Sequence, residues 1–256
     1  MLLAVNVSNS NITIGVFDGE SLLFKADLCT NPNKSCDEYA ISIAAILKLH
    51  NFDSGDIDGV ILACVVPALS QTIKSALGYL YSGKIFVVGP GLKSGLKIKA
   101  ENPTQVGASL VCQSVAILDK YTPPCILISM GTALSIFALD ESSTFIGGAI
   151  LPGVRLSAKA LCEHTAQLPQ IDLSQKIRSV IGTTSAQNIQ SGLIFGAAST
   201  IDGMVCRFKE VLGQSAVCVG TGELTEEILS HCKCEIFYEE NLVLDGLRII
   251  WQRNAK

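Results

Sequence analysis

The stretch Val5–Gly19, VNVSNSNITIGVFDG, decides how this chain is to be read. Val5, Val7, Ile12, Ile14 and Val16 are strand formers on either side of a polar turn, Ser8-Asn9-Ser10-Asn11, and Asp18-Gly19 closes a second turn. The pattern predicts two strands joined as a hairpin. A turn of this kind presents backbone N–H groups and short side chains to an anion. A metal-dependent phosphate site would be expected to carry a carboxylate on the first strand, where this chain has Asn6. A working site, an altered one and a plain hairpin are all compatible with the stretch alone.

The same unit recurs. Residues 2–19, LLAVNVSNSNITIGVFDG, can be laid over 125–141, CILISMGTALSIFALDE, so that Asn6 falls on Ser129 and Ser8-Asn9 on Gly131-Thr132. A duplicated strand-turn-strand unit predicts two similar lobes with a cleft between them; chance likeness of two hairpins is the alternative. YTPP at Tyr121–Pro124 breaks the preceding helical pattern and sets the expected boundary, with residues 1–120 in an N-terminal lobe and 121–256 in a C-terminal one.

Between the hairpins, strand and helix patterns alternate. Asp37–His50 has helical apolar spacing, DGVILACVVPAL reads as a buried strand ending at a proline, and SQTIKSALGYLY and KIFVVG read as a helix and a strand. Thr104 is a plausible N-cap for a helix running to about Asp119. This order predicts a mostly parallel α/β sheet in each lobe. In the second lobe SAQNIQSGLIFGAASTIDGMVCRFKEVL predicts one long helix, with Ile189, Leu193, Ile201, Val205, Phe208 and Leu212 near one apolar face. Gly192, Gly196, Ser199 and Gly203 form a second, small-residue stripe that suits either close packing within the lobe or a subunit contact.

Composition narrows the function classes. The chain has 256 residues, 48% of them hydrophobic, and a net charge of −4. Without a basic run interleaved with aromatics, nucleic-acid binding is not expected. The apolar runs are short, the strongest being Val60–Leu69 with Pro67 inside it, so no membrane span is expected. No basic segment precedes the first apolar residues, which argues against a signal peptide and for a cytoplasmic protein. The ten cysteines lack a Cys-x-x-Cys pair. Cys232 and Cys234, with His231 adjacent, could be drawn as a metal cluster, but on a strand successive residues alternate between faces, and the cysteines are expected to be reduced and structural.

None of the glycine-rich pieces, SMGTALS (129–135), GGAILPG (147–153), GTTSAQNIQSG (182–192) and VGTGELT (219–225), is a Walker A or Rossmann pattern. In order, however, NxSNSxxxxGVF, CVVPAL, NPxxVGA, GTA, GGAILPGxRLS, QSGLIFG and LVLDGL span nearly the whole chain. The ordered set resembles the type III pantothenate kinases. The resemblance implies an α/β fold of two similar lobes with actin-like ATPase (ribonuclease H-like) topology, and ATP-dependent phosphorylation of pantothenate in coenzyme A biosynthesis. It implies ATP with Mg²⁺, a monovalent cation (K⁺ or NH₄⁺), and a dimer with the pantothenate pocket at its interface. By the same resemblance the nucleotide-binding positions are Asn6, Ser8, Asn9, Ser10, Asn11, Gly131, Thr132, Gly220 and Gly222, and the substrate-binding positions are Ala100, Gly107, Ala108, Ser109, Leu110 and Thr184.

The departures from the family pattern fall on its chemistry. Asn6 stands where the family has the Mg²⁺ aspartate, and Ser129 where it has the monovalent-cation aspartate. Ser109-Leu110 replaces the Asp-Arg pair that supplies the proton acceptor and the carboxylate-binding guanidinium. Ala100 replaces an aromatic substrate contact, Ser8 a glycine, and Gly222-Glu223 a glycine pair in the adenosine loop. Mg²⁺ prefers anionic oxygens, and phosphoryl transfer relies on it to offset charge. A general base contributes about 10² to 10⁴ in rate, and leucine offers no substitute for a charge-assisted contact. Asp18 or Asp140 are the acids that can be proposed as stand-ins. The expectation is a homologue with weak or no activity alone; the alternatives are a non-catalytic partner of an active paralogue, as a heterodimer, and a kinase for another small hydroxylated substrate.

Overall fold

β1 (Leu2–Val7) and β2 (Asn11–Asp18) pair antiparallel across the Ser8–Ser10 turn, with Asn6 opposite Thr13, in the computed structural model, which describes residues 1–177 and 179–255. β3 (Ser21–Cys29) extends the hairpin, while β4 (Gly59–Cys64) and β5 (Ile85–Val87) add in parallel on the other side of β1. The first sheet therefore runs β3-β2-β1-β4-β5. Leu3, Val5 and Val7 turn one face toward α1 (Cys36–Leu49) and α2 (Pro67–Leu80), in a core with Ile12, Ile14, Tyr39, Ile43, Leu62, Ile73 and Leu77.

Local chemistry explains where these helices start. Ser35 caps α1 in a reciprocal capping box: the Glu38 N–H donates to Ser35 Oγ (3.3 Å), and the Ser35 N–H donates to Glu38 Oε2 (2.7 Å). Pro67, expected to end a strand, instead occupies the first turn of α2, where its missing N–H costs nothing. The expected helix from Thr104 is corrected: Asn102 accepts from the Thr104 N–H at the head of a 3₁₀ turn, Pro103–Gln105, and α3 begins only at Ala108 and runs to Lys120.

The second sheet repeats the first. β7 (Cys125–Met130), β8 (Ala133–Leu139) and β9 (Thr144–Pro152) form an antiparallel meander, and β10 (Val217–Gly222) and β11 (Phe237–Tyr238) add in parallel beyond β7. The order β9-β8-β7-β10-β11 matches β3-β2-β1-β4-β5, with β6 (Lys97–Ile98) as an extra edge strand on β9. The internal repeat is thus real, and β1 and β7 are equivalent central strands. Both sheets are mixed rather than mostly parallel, because a turn as short as Ser8–Ser10 or Gly131–Thr132 can only reverse the chain.

The chain divides into two units: Met1–Leu96 with Glu101–Asp119 and Asn241–Lys256, and Lys97–Ala100 with Lys120–Glu240. The chain changes unit after Leu96, Ala100, Asp119 and Glu240, so a single cut does not describe it. α7 (Leu242–Asn254) returns to the first unit, where it packs on β1, β2 and β4, with Leu244 against Gly15 and Trp251 against Gly59. In the second unit α4 (Val154–Glu163), α5 (Ser185–Leu212) and the short α6 (Thr225–Leu229) accompany the sheet. α5 buries Ile194, Ala198, Ile201 and Val205 against Ile126, Ile128 and Ile136.

Two expectations change here. By length and composition α5 is sufficient to cross a membrane, with a mean hydropathy of 1.2, so the absence of any stretch of spanning length does not hold. Its Asp202 carboxylate accepts from the backbone N–H groups of Lys233 and Cys234 and from the Cys234 thiol, all in the second unit. Cys232 and Cys234 lie in the loop before β11 rather than on a strand. Burial first, and then the neighbouring Asp202, push both thiols up to about 12. All ten cysteines are free, and among the described residues no three His, Cys, Asp or Glu side chains gather as a metal cluster.

α7 crosses α3 at Gly246, where an added Cβ would stand 1.9 Å from the Cys112 carbonyl oxygen. Backbone cannot yield as a flexible side chain does. Gly246→Ala is expected to destabilise the protein by about 2 to 3 kcal/mol, against about 1 kcal/mol for Ser35→Ala at the α1 cap. Urea unfolding of both variants checks this; a Gly246→Ala midpoint at or above that of Ser35→Ala would contradict it.

Candidate active site

In the first unit the polar turn is held by its own atoms and by the strand beside it. Ser8 donates from its N–H (2.9 Å) and its Oγ (2.7 Å) to the Asn11 carbonyl oxygen. Thr30, just past β3, donates its Oγ1 proton to the Ser8 carbonyl (2.7 Å) and its N–H to the Ser10 carbonyl (2.9 Å). With these carbonyls occupied, Asn9 and Ser10 form the exposed tip. Thr30 was not among the sequence candidates, and nothing local could have marked it, since it lies 22 residues from Ser8.

Beside the turn, Asn6 meets Ser109. Asn6 is 6% exposed near the end of β1, and Ser109 sits in the first turn of α3. Ser109 Oγ donates to Asn6 Oδ1 at 2.7 Å across 103 residues of sequence. Two positions marked separately in the sequence therefore form one contact, a neutral pair where the family pattern has two carboxylates. The first intrahelical bond of α3 runs from the Val111 N–H to the Gly107 carbonyl (3.1 Å). The N–H groups of Ala108, Ser109 and Leu110 consequently have no acceptor within the helix, and its positive end lies at the pair. Leu110 is half-buried. One turn further along α3, Gln113 Oε1 and Ser114 Oγ are buried without a partner among the described residues.

These residues do not fit Mg²⁺. The Asn6 oxygen, already a neutral ligand, accepts the Ser109 proton. The carboxylate on the same cross-strand row is Asp27, two strands away beyond Thr13, which donates to it at 2.6 Å. That is roughly 9 to 10 Å by strand spacing, whereas Mg²⁺ binds its ligands at about 2.1 Å. Asp18 is no stand-in: it lies five residues beyond Thr13 on β2, about 17 Å along the strand. Asp140 is none either, because its Oδ1 accepts from the N–H groups of Ser142 and Thr144 and closes the turn at the other end of β8 from Thr132.

The second unit carries the equivalent turn. Gly131 donates its N–H to the Ala133 carbonyl (3.0 Å), and Gly153 donates to the Thr132 carbonyl (2.9 Å). Two glycines let other segments touch this turn. A Cβ on Gly153 would lie 2.1 Å from the Gly131 oxygen; one on Gly222, whose φ is +107°, would lie 1.9 Å from the Met130 oxygen. Gly220 is different. It is buried within β10 against Leu229, so its missing side chain serves packing. Glu223 donates its N–H to the Met130 carbonyl, and its carboxylate pairs with Arg155 Nε at 2.8 Å. Ser129 shares a cross-strand row with Ser135 and Thr221, three neutral hydroxyls where a cation would prefer an acid. Thr184 caps α5, its Oγ1 accepting from the Gln187 N–H (3.3 Å), and Ala100 lies half-buried just after β6.

Comparison with known proteins bears on the family and the fold. The sequence model of the type III pantothenate kinases matches residues 2–207. The type III pantothenate kinase of Exiguobacterium sibiricum is 36% identical over 99% of this chain and all of its own, and that of Moorella thermoacetica 34% identical over the whole of both. Among solved structures, a conserved putative Baf family transcriptional activator from Campylobacter jejuni aligns with a TM-score of 0.63 at 15% identity, over 99% of this chain and 98% of its own. A putative 2-dehydro-3-deoxygalactonokinase from Sinorhizobium meliloti aligns with a TM-score of 0.59 at 10% identity, over 99% of both. The structural neighbours establish the two-lobe fold of actin-like ATPases and sugar kinases, and the sequence relatives go further: the chain belongs to the type III pantothenate kinase family.

Proposed function

We propose that this chain is a nucleotide-binding member of its family with little or no pantothenate phosphorylation of its own. The Ser109–Asn6 hydrogen bond carries the reading. A general base must hold the proton that leaves the substrate hydroxyl. Ser109 already spends its own proton on Asn6; its oxygen can accept a hydrogen bond from a substrate but cannot keep a proton at neutral pH. Leu110 offers pantothenate's carboxylate no cation. The braced first turn favours retained binding of ATP phosphates, and Ser129 gives little support for a bound K⁺ or NH₄⁺. Membership of the family favours a role in coenzyme A synthesis, and with it a cytoplasmic location, as a kinase if some activity persists. Partnership with an active paralogue, or a different hydroxylated substrate, are the further readings.

α5 supports self-association. Gly192, Gly196 and Ser199 are exposed, and an added Cβ at Gly192 or Gly196 would meet nothing within 4 Å. Among the described residues no helix crosses α5 closely at Gly192 and Gly196, and a second subunit, identical or paralogous, would supply that contact. Gly196→Phe is expected to fold, since glycine is the poorer helix former by roughly 0.5 kcal/mol, and to sediment as a monomer where the wild type sediments as a dimer. A monomeric wild type at high concentration, with no paralogue bound, would remove this part of the proposal.

Restoring the chemistry tests the catalytic part. Asn6→Asp alone and Ser109→Asp alone are each expected to yield little phosphopantothenate. The combination Asn6→Asp, Ser109→Asp and Leu110→Arg should exceed the better single variant by about 10²-fold or more, because such residues act as one unit. The positive end of α3 would help hold the restored carboxylate at position 109, by about 0.3 to 1 kcal/mol. Substantial wild-type turnover would refute the proposal, and a folded but inert combination would move the defect to Ala100, Ser129 or Glu223.

A further inference from the structure

We propose that the first unit binds the phosphates of a nucleoside di- or triphosphate as the metal-free anion, with the Asn6 amide donating a hydrogen bond where a metal-dependent site would hold a cation. This rests on the nucleotide-binding reading above and adds the charge state of the ligand. Four observations converge. Asn6 is 94% buried, and its Oδ1 accepts from Ser109 Oγ. An oxygen so occupied orients the amide the other way, and the Asn6 NH₂ group has no hydrogen-bond partner among the described residues. An amide donor on a side chain so largely buried, with no acceptor beside it, is poised for one that arrives. Phosphate oxygens are such acceptors; Mg²⁺ is not.

The second and third observations are electrostatic. α3 directs its positive end and the unpaired N–H groups of Ala108, Ser109 and Leu110 to the same place. In a site with two carboxylates that partial charge would be neutralised; beside Asn6 and Ser109 it is not, so the local field favours an anion and opposes a divalent cation. On the cross-strand row of Asn6, the remaining residues are Ala63, Thr13 and Asp27, and the Asp27 carboxylate is engaged by the Thr13 hydroxyl. The fourth is the turn itself. Its carbonyls at Ser8, Ser10 and Asn11 accept hydrogen bonds from within the unit, so they do not present bare oxygens to an incoming phosphate. The replacements at 6 and 109 thus convert a cation-holding pair into an anion-holding one, rather than merely deleting it.

The test is calorimetric titration of the full-length protein with ADP, in EDTA and in millimolar Mg²⁺, with Mn²⁺ binding followed by electron paramagnetic resonance. The wild type should bind ADP in EDTA at least as tightly as in Mg²⁺, to within about threefold, and should retain no Mn²⁺ in the presence of ADP. Asn6→Asp should reverse this: ADP affinity in EDTA falls by about tenfold or more as a carboxylate faces the phosphates, and bound Mn²⁺ becomes detectable. Asn6→Ala, which removes the donor without adding charge, should also weaken ADP binding in EDTA by about tenfold. Wild-type affinity that rises tenfold or more with Mg²⁺, with Mn²⁺ retained, overturns this inference and leaves nucleotide binding standing. An Asn6→Ala variant that binds ADP like the wild type also overturns it. ADP that fails to bind under either condition overturns both the inference and the nucleotide reading beneath it.

Discussion

β1 lies at the centre of its sheet, and both of its faces are covered. A strand so placed can carry a polar side chain only where a partner is at hand, since burying an unpaired amide costs more than one good hydrogen bond returns. Near its end β1 carries Asn6, and α3 arrives with Ser109 to pair it at 2.7 Å. The demand sets where α3 can begin, which turn of it faces the sheet, and which side of the polar turn is lined by helix rather than by solvent. The contact is neutral, so its net contribution to stability is modest, about 0.5 to 1.5 kcal/mol. Its weight lies in what it decides about charge at the site.

The repeat makes that decision visible twice. Asn6 and Ser129 occupy equivalent positions on equivalent central strands, flanked on one side by Thr13 and Ser135 and on the other by Ala63 and Thr221. Neither row brings a carboxylate next to the position that the family pattern makes acidic. Around both rows the scaffold is intact: Thr30 braces the first turn, Gly153 and Gly222 close on the second, and Arg155 neutralises Glu223. Neutral side chains fill both rows while the turns beside them keep their closing contacts. That combination is the ground on which binding with little turnover is proposed.

Much of this was legible before any coordinates. β-branched alternation around Ser8–Asn11 and again around Gly131–Thr132 specifies two hairpins, because period-two patterning and a short polar turn leave the chain few other choices. The ordered motifs carried the family, and each altered site residue could be named singly from them. Element boundaries were harder. Thr104 looked like a helix cap, but the neighbouring Asn102 took that role for a 3₁₀ turn, and α3 waited until Ala108. Pro67 looked like a strand terminator and proved to be a helix opener, since the two roles require the same backbone φ.

By itself, then, the sequence determined two duplicated hairpins, alternating helices and strands, one long helix, and neutral residues at the three positions 6, 109 and 129 where the resemblance leads one to expect acids, because all of these depend on local periodicity, turn chemistry or residue identity. Tertiary structure alone decided the rest. It closed α7 onto the first unit through Gly246, put β6 on the second sheet, and brought Thr30 to the turn and Ser109 to Asn6. Each of these joins residues far apart in the chain, where strand register and helix packing, not sequence spacing, set the distance.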